Sequence, residues 1–461
     1  MDKISSAIYQ ETGKQVVNLT DMTQTWLQWY KGDVAEFHTY EAYNGRKKVK
    51  QKRKTLNMAK KICEDWANLL LNEKTDVAYE DEEGQQKLEE ILDEVQFWQK
   101  GNEGIEKTFA LGNGAFVESF DADGKERLQF INGQKVYPIT FDQDRIIECA
   151  FVNVSSFVTN IQVHLLDEQG NYQIVDLKYE KQQNDTTDSL GNLVYKNVFD
   201  TQSKIPWFQI LKPNVANNVD INSPMGVSVF ANSVDTLAGV DLAYDGFCEE
   251  MRLGKAKIFA DSRIMQFDGD DQVAVFDKNE TGIYWYGNGE NDNKEPLKFY
   301  SEALRTEAFF NGINNALNLL SSKVGFGENH YRFDQGGIST ATQVVSENSE
   351  MFRTLRKHEI LLRDVIIGVC KALMYINNQF IDGSGYTFDL DKTLEVKFDD
   401  SIIEDKETQK LNDRQDVNLG VMSKAEYRAK WYNEDIDTAT ENVNAIAESN
   451  RANMSSFFSE E

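Results

Sequence analysis

Three observations predict a mixed α+β chain. Apolar residues recur at three- and four-residue spacing in several long stretches. A region between about 105 and 210 alternates apolar and polar residues between turn signals. Only five prolines occur in 461 residues, which leaves room for long uninterrupted helices. The apolar fraction of 40%, with 11% aromatics, suffices for a core and excludes a disordered acidic chain. Charge excludes more. Asp and Glu number 76 against 49 Lys and Arg, a formal net charge of −27. A field of that sign repels phosphate and argues against a protein that grips nucleic acid over a broad surface.

The first hundred residues or so read as helical. Leu56, Ala59, Ile62, Cys63, Trp66, Leu69 and Leu70 make an amphipathic stripe. Before it lies Arg46-Lys47-Lys48-Val49-Lys50-Gln51-Lys52-Arg53-Lys54. A phosphate contact is one reading of this run. A solvated loop or helix entry balancing nearby acids is the other, and the net charge favours it.

The β-rich region follows. Ala115-Phe116-Val117-Glu118-Ser119-Phe120 leans to strand, and Ile161-Gln162-Val163-His164-Leu165 alternates strictly. Turns fall at Asp123-Gly124, Asn132-Gly133 and Gln169-Gly170. His164 sits on the polar phase and is expected to face solvent.

Past Pro224 a helix is expected from about 228 to 254, striped by Val234, Leu237, Val240, Tyr244, Phe247, Cys248 and Met251. Gly239 and Gly246, on one face, would let a neighbouring helix approach closely. A β-leaning insert carries Lys257-Ile258-Phe259, Val273-Ala274-Val275-Phe276 and Ile283-Tyr284-Trp285-Tyr286. A second helix, about 302 to 323, has Leu304, Ala308, Ile313, Ala316, Leu317 and Leu320 on its face. The segment from Val324 to Gly337 has glycines near both ends and reads as a mobile loop.

Thr340-Ala341-Thr342-Gln343 fits a capping box opening the longest helix, which runs toward Phe380 with Gly368 as a candidate bend. A Gly-rich turn from Asp382 to Gly385, the strand Leu394-Glu395-Val396-Lys397-Phe398 and short helices complete the chain. Gly420 reads as a C-cap, and Ser423-Lys424-Ala425-Glu426 as a second capping box.

Motifs that carry chemistry are absent. No G-x-x-x-x-G-K-[ST] loop occurs. His358-Glu359 opens an H-E-x-x-H pattern that Leu362 breaks. Asp121-Ala122-Asp123-Gly124 opens like a calcium loop, but Asn132 stands where the closing Glu belongs, so a hairpin turn is the better reading. Gly112-Asn113-Gly114 is a turn, not a nucleotide fingerprint. Cys63, Cys149, Cys248 and Cys370 lie far apart and are expected to be reduced and mostly buried; the histidines are His38, His164, His330 and His358. No apolar run reaches the roughly 18 residues of a membrane span, and the N-terminus lacks the features of a secretory signal. No catalytic residue, metal, cofactor or membrane partner is expected.

The order of elements resembles the portal proteins of long-tailed double-stranded-DNA phages. The stretch Gly337-Ile338-Ser339-Thr340-Ala341-Thr342-Gln343-Val344-Val345-Ser346-Glu347-Asn348, running into Phe352-Arg353-Thr354-Leu355-Arg356-Lys357-His358-Glu359, is similar to the start of that family's long wing helix. Lys54 to Cys63 resembles its N-terminal helix, and Phe398-Asp399-Asp400-Ser401-Ile402-Ile403 its strand before the C-terminal helices.

The resemblance implies a portal-type ring subunit with helical stem, small α/β clip, mixed wing and helical crown. Wing would be 1–227, the first stem helix 228–254, the clip 255–301 and the second stem helix 302–323. The tunnel loop would be 324–338, the long wing helix 339–380 and the crown 381–461. It further implies a homo-oligomer of about twelve subunits at the capsid portal vertex of the virion, assembled in the host cytoplasm. Double-stranded DNA would pass through it without sequence specificity.

Its partners would be the terminase large subunit, which hydrolyses ATP, a head-completion adaptor, and the major capsid and scaffolding proteins. His330, Tyr331 and Arg332 would face DNA from the tunnel loop. Asp268, Asp270, Asp271, Tyr284, Trp285 and Tyr286 would contact partners from the clip. The subunit would have no catalysis of its own. The alternatives are a carboxylate-based hydrolase with a cleft in the β-rich region, or another head–tail connector component.

Overall fold

The computed structural model describes residues 3–17, 22–43, 47–143, 145–181, 189–261, 267–268, 273–274, 283–286, 297–301, 303–332, 349–381, 385–398, 406–432 and 434–457. The chain divides into two compact units, 1–335 with 353–397, and 336–352 with 398–461.

The first unit opens with α1 (Lys3–Thr12), α2 (Thr23–Lys31) and α3 (Ala35–His38), then β1 (Thr39–Tyr43), β2 (Lys48–Lys52) and α4 (Met58–Leu70). On α4 the expected stripe is the buried face, with Ala59, Ile62, Cys63, Trp66 and Leu70 inside. The wholly helical reading of this region is corrected by β1–β2, an antiparallel hairpin with Tyr43 opposite Lys48 and Thr39 opposite Lys52. The basic run is therefore largely a strand, not a loop or helix entry. A hairpin needs only one packed face, and here Val49 and Gln51 are half-buried while Lys48, Lys50 and Lys52 point outward. As expected, some of its charge meets acids: Lys48 pairs with Glu41 at 3.2 Å and Lys52 with Asp33 at 2.8 Å.

After β3 (Asp76–Tyr79), α5 (Glu82–Glu94) and α6 (Phe97–Leu111) come β4 (Gly114–Phe120), β5 (Glu126–Asn132), β6 (Val136–Asp142), β7 (Arg145–Val154), β8 (Val158–Leu166), β9 (Tyr172–Glu180), β10 (Asn192–Asp200) and β11 (Phe208–Leu211). They form an antiparallel sheet in the order β10-β9-β8-β7-β6 and a smaller one in the order β11-β4-β5. One face of the larger sheet packs Val152, Ile161, Val163 and Leu177 against Ala7 and Ile8 of α1. The other packs Cys149, Phe151 and Tyr172 against Ala115, Val117, Ile131 and Phe208 of the smaller sheet.

Burial on both faces corrects the expectation for His164. It is fully buried, edge-on to Phe151 and Phe208 with ring centroids 5.4 and 5.2 Å away, and burial pushes its imidazole down to about 3. Alternation identifies a polar phase, but that phase faces solvent only when one side of a sheet is left uncovered. The turn readings hold. Asp121 Oδ1 accepts from the amides of Asp123 and Lys125 at 3.0 Å, and Gly124 takes the left-handed conformation at φ +72°. Gly112 (φ +83°) lies against the backbone of Gly226 and Val227, and Asn113 Oδ1 accepts from the Gly226 amide at 2.7 Å.

A 3-10 turn, Ala231–Ser233, precedes α7 (Val234–Leu253), so the expected helix starts about six residues later than read. β12 (Lys257–Asp261), β13 (Phe267–Asp268), β14 (Val273–Ala274), β15 (Ile283–Tyr286) and β16 (Leu297–Tyr300) follow, then α8 (Thr306–Lys323). β12 lies between β15, parallel, and β16, antiparallel; β13 pairs with β14. Gly246 faces Phe309 of α8, as close approach requires, whereas an added Cβ at Gly239 would meet open space.

α9 (Ser349–Phe380) sets Ala372 and Ile376 against Ile174 and Trp207, with Phe380 stacked on Phe120 at 5.1 Å. Gly368 lies within this helix against the Gln209 side chain, so its small size serves packing. The capping box at 340–343 lies outside the described residues. β17 (Leu394–Lys397) pairs with β3.

In the second unit, α10 (Lys406–Leu419) ends at Gly420 (φ +74°), and α11 (Lys424–Tyr432) and α12 (Ile436–Phe457) follow. The expected capping box is closed. The Ser423 amide donates to Glu426 Oε2 at 2.7 Å, and the Glu426 amide to Ser423 Oγ at 3.1 Å.

Candidate functional site

Residues 324–332 are built from the end of α8 outward. Phe326 N donates to Ser321 O at 3.0 Å and Gly325 N to Ser322 O at 3.2 Å, a Schellman closure with Gly325 left-handed at φ +88°. Phe326 then lies flat on Trp66 of α4, ring centroids 4.4 Å apart and 19° from parallel. His330 stacks on the far face of Phe326 at 4.3 Å and 6°. Tyr331 stands edge-on to both rings and donates from its hydroxyl to Asp65 Oδ2 at 2.9 Å. Its amide donates to Ser321 Oγ at 3.1 Å, and the amide of Asn329 to Asn318 Oδ1 at 2.6 Å. The Trp66 indole N–H donates to Val324 O at 3.3 Å.

The glycines therefore turn the chain back onto α4 and α8, which corrects the reading of a mobile loop as far as Arg332. Residues 333–338 lie outside the described residues. Burial holds the His330 imidazole below its usual range even though the Asp65 carboxylate, 4.0 Å away, draws it upward. Burial, then Asp65, pushes the Tyr331 phenol far up, so it is a hydrogen-bond donor at any physiological pH. Arg332 is exposed.

The second group of expected site residues lies between α7 and α8. The ends of this insert are tied at its base: Arg305 grips Glu250 with Nε–Oε1 at 3.0 Å and Nη2–Oε2 at 2.7 Å. Leu304 covers Gly254. Tyr284, Trp285 and Tyr286 lie on the edge strand β15, opposite Phe259, Ala260 and Asp261 of β12. Asp268 lies on β13 opposite Val273. Asp270 and Asp271 lie outside the described residues. His330, Tyr331 and Arg332 thus share one turn, while Asp268 lies in one small sheet and Tyr284, Trp285 and Tyr286 in another.

Glu126 and Glu148 of the β-rich region are enclosed. Glu148 is held by Lys14, the Thr140 hydroxyl and the Leu166 amide, and Glu126 accepts from Asn377 at 2.7 Å. Among the described residues no group of His, Cys, Asp and Glu side chains could hold a metal ion, and no helix is long and apolar enough to cross a membrane.

The sequence profile described as "Phage portal protein, SPP1 Gp6-like" matches residues 20–455. The chain belongs to that portal family. That family is structural, not catalytic. No curated protein matches the sequence. Among solved structures, the neck of a native gene transfer agent particle computed with C12 symmetry is similar at TM-score 0.41 and 9% identity, covering 92% of this chain and 97% of that one. The virion of a native gene transfer agent particle is similar at TM-score 0.38 and 10% identity, covering 92% and 98%.

Two features of this portal-family chain escaped the sequence reading. Asp65 and Trp66 of α4 organise residues 324–332, yet Tyr331 lies 266 residues from Asp65. On α7, Asp241 and Asp245 are buried. Asp241 accepts from the Thr55 hydroxyl and the Leu56 amide, and Asp245 from the Lys54 amide, each at 2.9 Å. In an acidic chain nothing local marks these two carboxylates as different from the rest.

Proposed function

We propose that this chain is the portal subunit of a double-stranded-DNA phage, closing as a ring of twelve at the capsid vertex through which DNA enters and leaves. Beyond family membership, the observation that carries the reading is the face of α7 and α8 left uncovered in a single chain. Leu242 and Leu319 are 54% and 56% exposed, and Gly239 and Gly312 have open space where a Cβ would stand. Small residues beside exposed leucines suit ridge-and-groove packing against another copy, and head-to-tail contacts that close on themselves make a ring.

In this reading α7 and α8 are the stem and residues 255–301 the clip, where the terminase large subunit and the head-completion adaptor dock. Residues 381–461 contribute the crown. Major capsid and scaffolding proteins surround the ring. Arg332 and the exposed edge of His330 meet passing phosphates, while the net charge of −27 per subunit keeps DNA from being retained. Leu242→Asp tests the packing: the variant should remain folded and fail to close rings. Wild-type-like rings from the variant would remove the stem face from the account.

A further inference from the structure

The β1–β2 hairpin has no part in that reading. Residues 39–54 carry seven cations, Arg46, Lys47, Lys48, Lys50, Lys52, Arg53 and Lys54, against the single acid Glu41, in a chain of net charge −27. Strand alternation sets Lys48, Lys50 and Lys52 in one exposed row.

The opposite side of the hairpin is fixed. The Tyr40 hydroxyl donates to Gln51 Oε1 at 2.9 Å, and the Arg53 amide to His38 O at 2.8 Å. The Arg53 guanidinium lies over the rings of Phe37 and Tyr40, 4.9 and 4.6 Å from their centroids. The lysine row therefore stands on a held strand rather than a free loop. Its ion pairs to Glu41 and Asp33 are solvent-exposed on both sides and so are weak and exchangeable. Among the described residues Lys50 has no ion-pair partner.

We propose that this hairpin face is a sequence-independent docking surface for the phosphate backbone of duplex DNA. Alternate residues of a strand lie about 6.8 Å apart at roughly 3.4 Å per residue. Successive phosphates of one DNA strand advance about 3.4 Å along the axis while turning about it, so their direct separation is about twice that rise and consecutive phosphates match the row. An acidic protein surface has the right sign but no such regular repeat. The repulsive remainder of the chain confines DNA to this face. The face is complete within one chain, so the proposal stands or falls separately from ring closure.

The test uses the full-length chain and a labelled short duplex of mixed sequence, with binding followed by anisotropy across a series of salt concentrations. Wild type should bind with a steep salt dependence. The K48Q/K50Q/K52Q variant should lower the log–log salt slope by about 2.7, or 0.9 for each lost phosphate contact, with its melting temperature unchanged. If the triple variant fails to fold, K50Q alone should lower the slope by about 0.9. No salt-dependent binding by wild type, or a wild-type slope in the variants, overturns the proposal. So does a variant whose oligomeric mass changes while its DNA slope does not, since the face would then meet another copy of the chain.

Discussion

His38 Nε2 stands 3.1 Å from Asp241 Oδ2, with both side chains buried. The Val34 amide donates to His38 Nδ1 at 2.8 Å, which leaves Nε2 as the ring nitrogen that donates to Asp241. Asp241 also takes the Thr55 hydroxyl and the Leu56 amide, fastening α7 to the segment that leads into α4. Asp241→Ala leaves three donors without an acceptor. It should destabilise the chain by about 3 kcal/mol in urea unfolding. Asp241→Asn keeps an acceptor oxygen and should cost less.

Tyr331→Phe retains the ring packing on Phe326 and removes the hydroxyl bond to Asp65. The expected loss is about 1–2 kcal/mol in the same measurement, with assembly unchanged. Arg332→Gln, at an exposed position, should leave both stability and assembly alone and lower the amount of DNA packaged. Normal filling of particles by Arg332→Gln would remove Arg332 from DNA contact.

Glu118 is fully buried, and neither carboxyl oxygen has a hydrogen-bond partner among the described residues. Burial pushes its carboxyl well above the usual range, so the folded chain keeps a proton that the unfolded chain loses above about pH 4.3. Its contribution is present below that pH and is lost as pH rises toward the folded value. Glu118→Leu should therefore gain about 1–3 kcal/mol at neutral pH, and the gain should shrink toward pH 4.

Two buried histidines act in the opposite window. Burial pushes His164 and His358 down to about 3, against about 6.5 in the unfolded chain. Both are neutral in either state above pH 6.5, and below it only the unfolded chain takes up protons. Stability should fall by about 1.4 kcal/mol per pH unit for each as pH drops toward 3. In a melting series against pH, His164→Gln should make that acid limb shallower.

In the proposed clip, Trp285→Ala should leave the ring intact and weaken capture of the head-completion adaptor in a pull-down. Undiminished capture by a folded variant would take Trp285 out of that contact.

Local patterns were legible wherever local forces decide. The α4 stripe was readable because that helix buries one face. Ser423 and Glu426 were readable because a capping box closes within four residues. His164 was not, because α1 and the β11-β4-β5 sheet cover both sides of its sheet. The β1–β2 hairpin hid behind its lysines, whose composition gives no strand signal. The glycines near 325 marked a turn, but its attachment depends on Asp65 and Trp66, far away in sequence, where the stripe marks Trp66 only as core and nothing marks Asp65. Family resemblance supplied what neither periodicity nor motif contained.

Ring closure is the central claim, and the mass of the purified full-length chain by light scattering, with negative-stain images of the same sample, tests it most directly. Twelve copies of a 52.7 kDa chain should give a particle of about 630 kDa with a central hole. A small fixed oligomer without a hole would contradict the account.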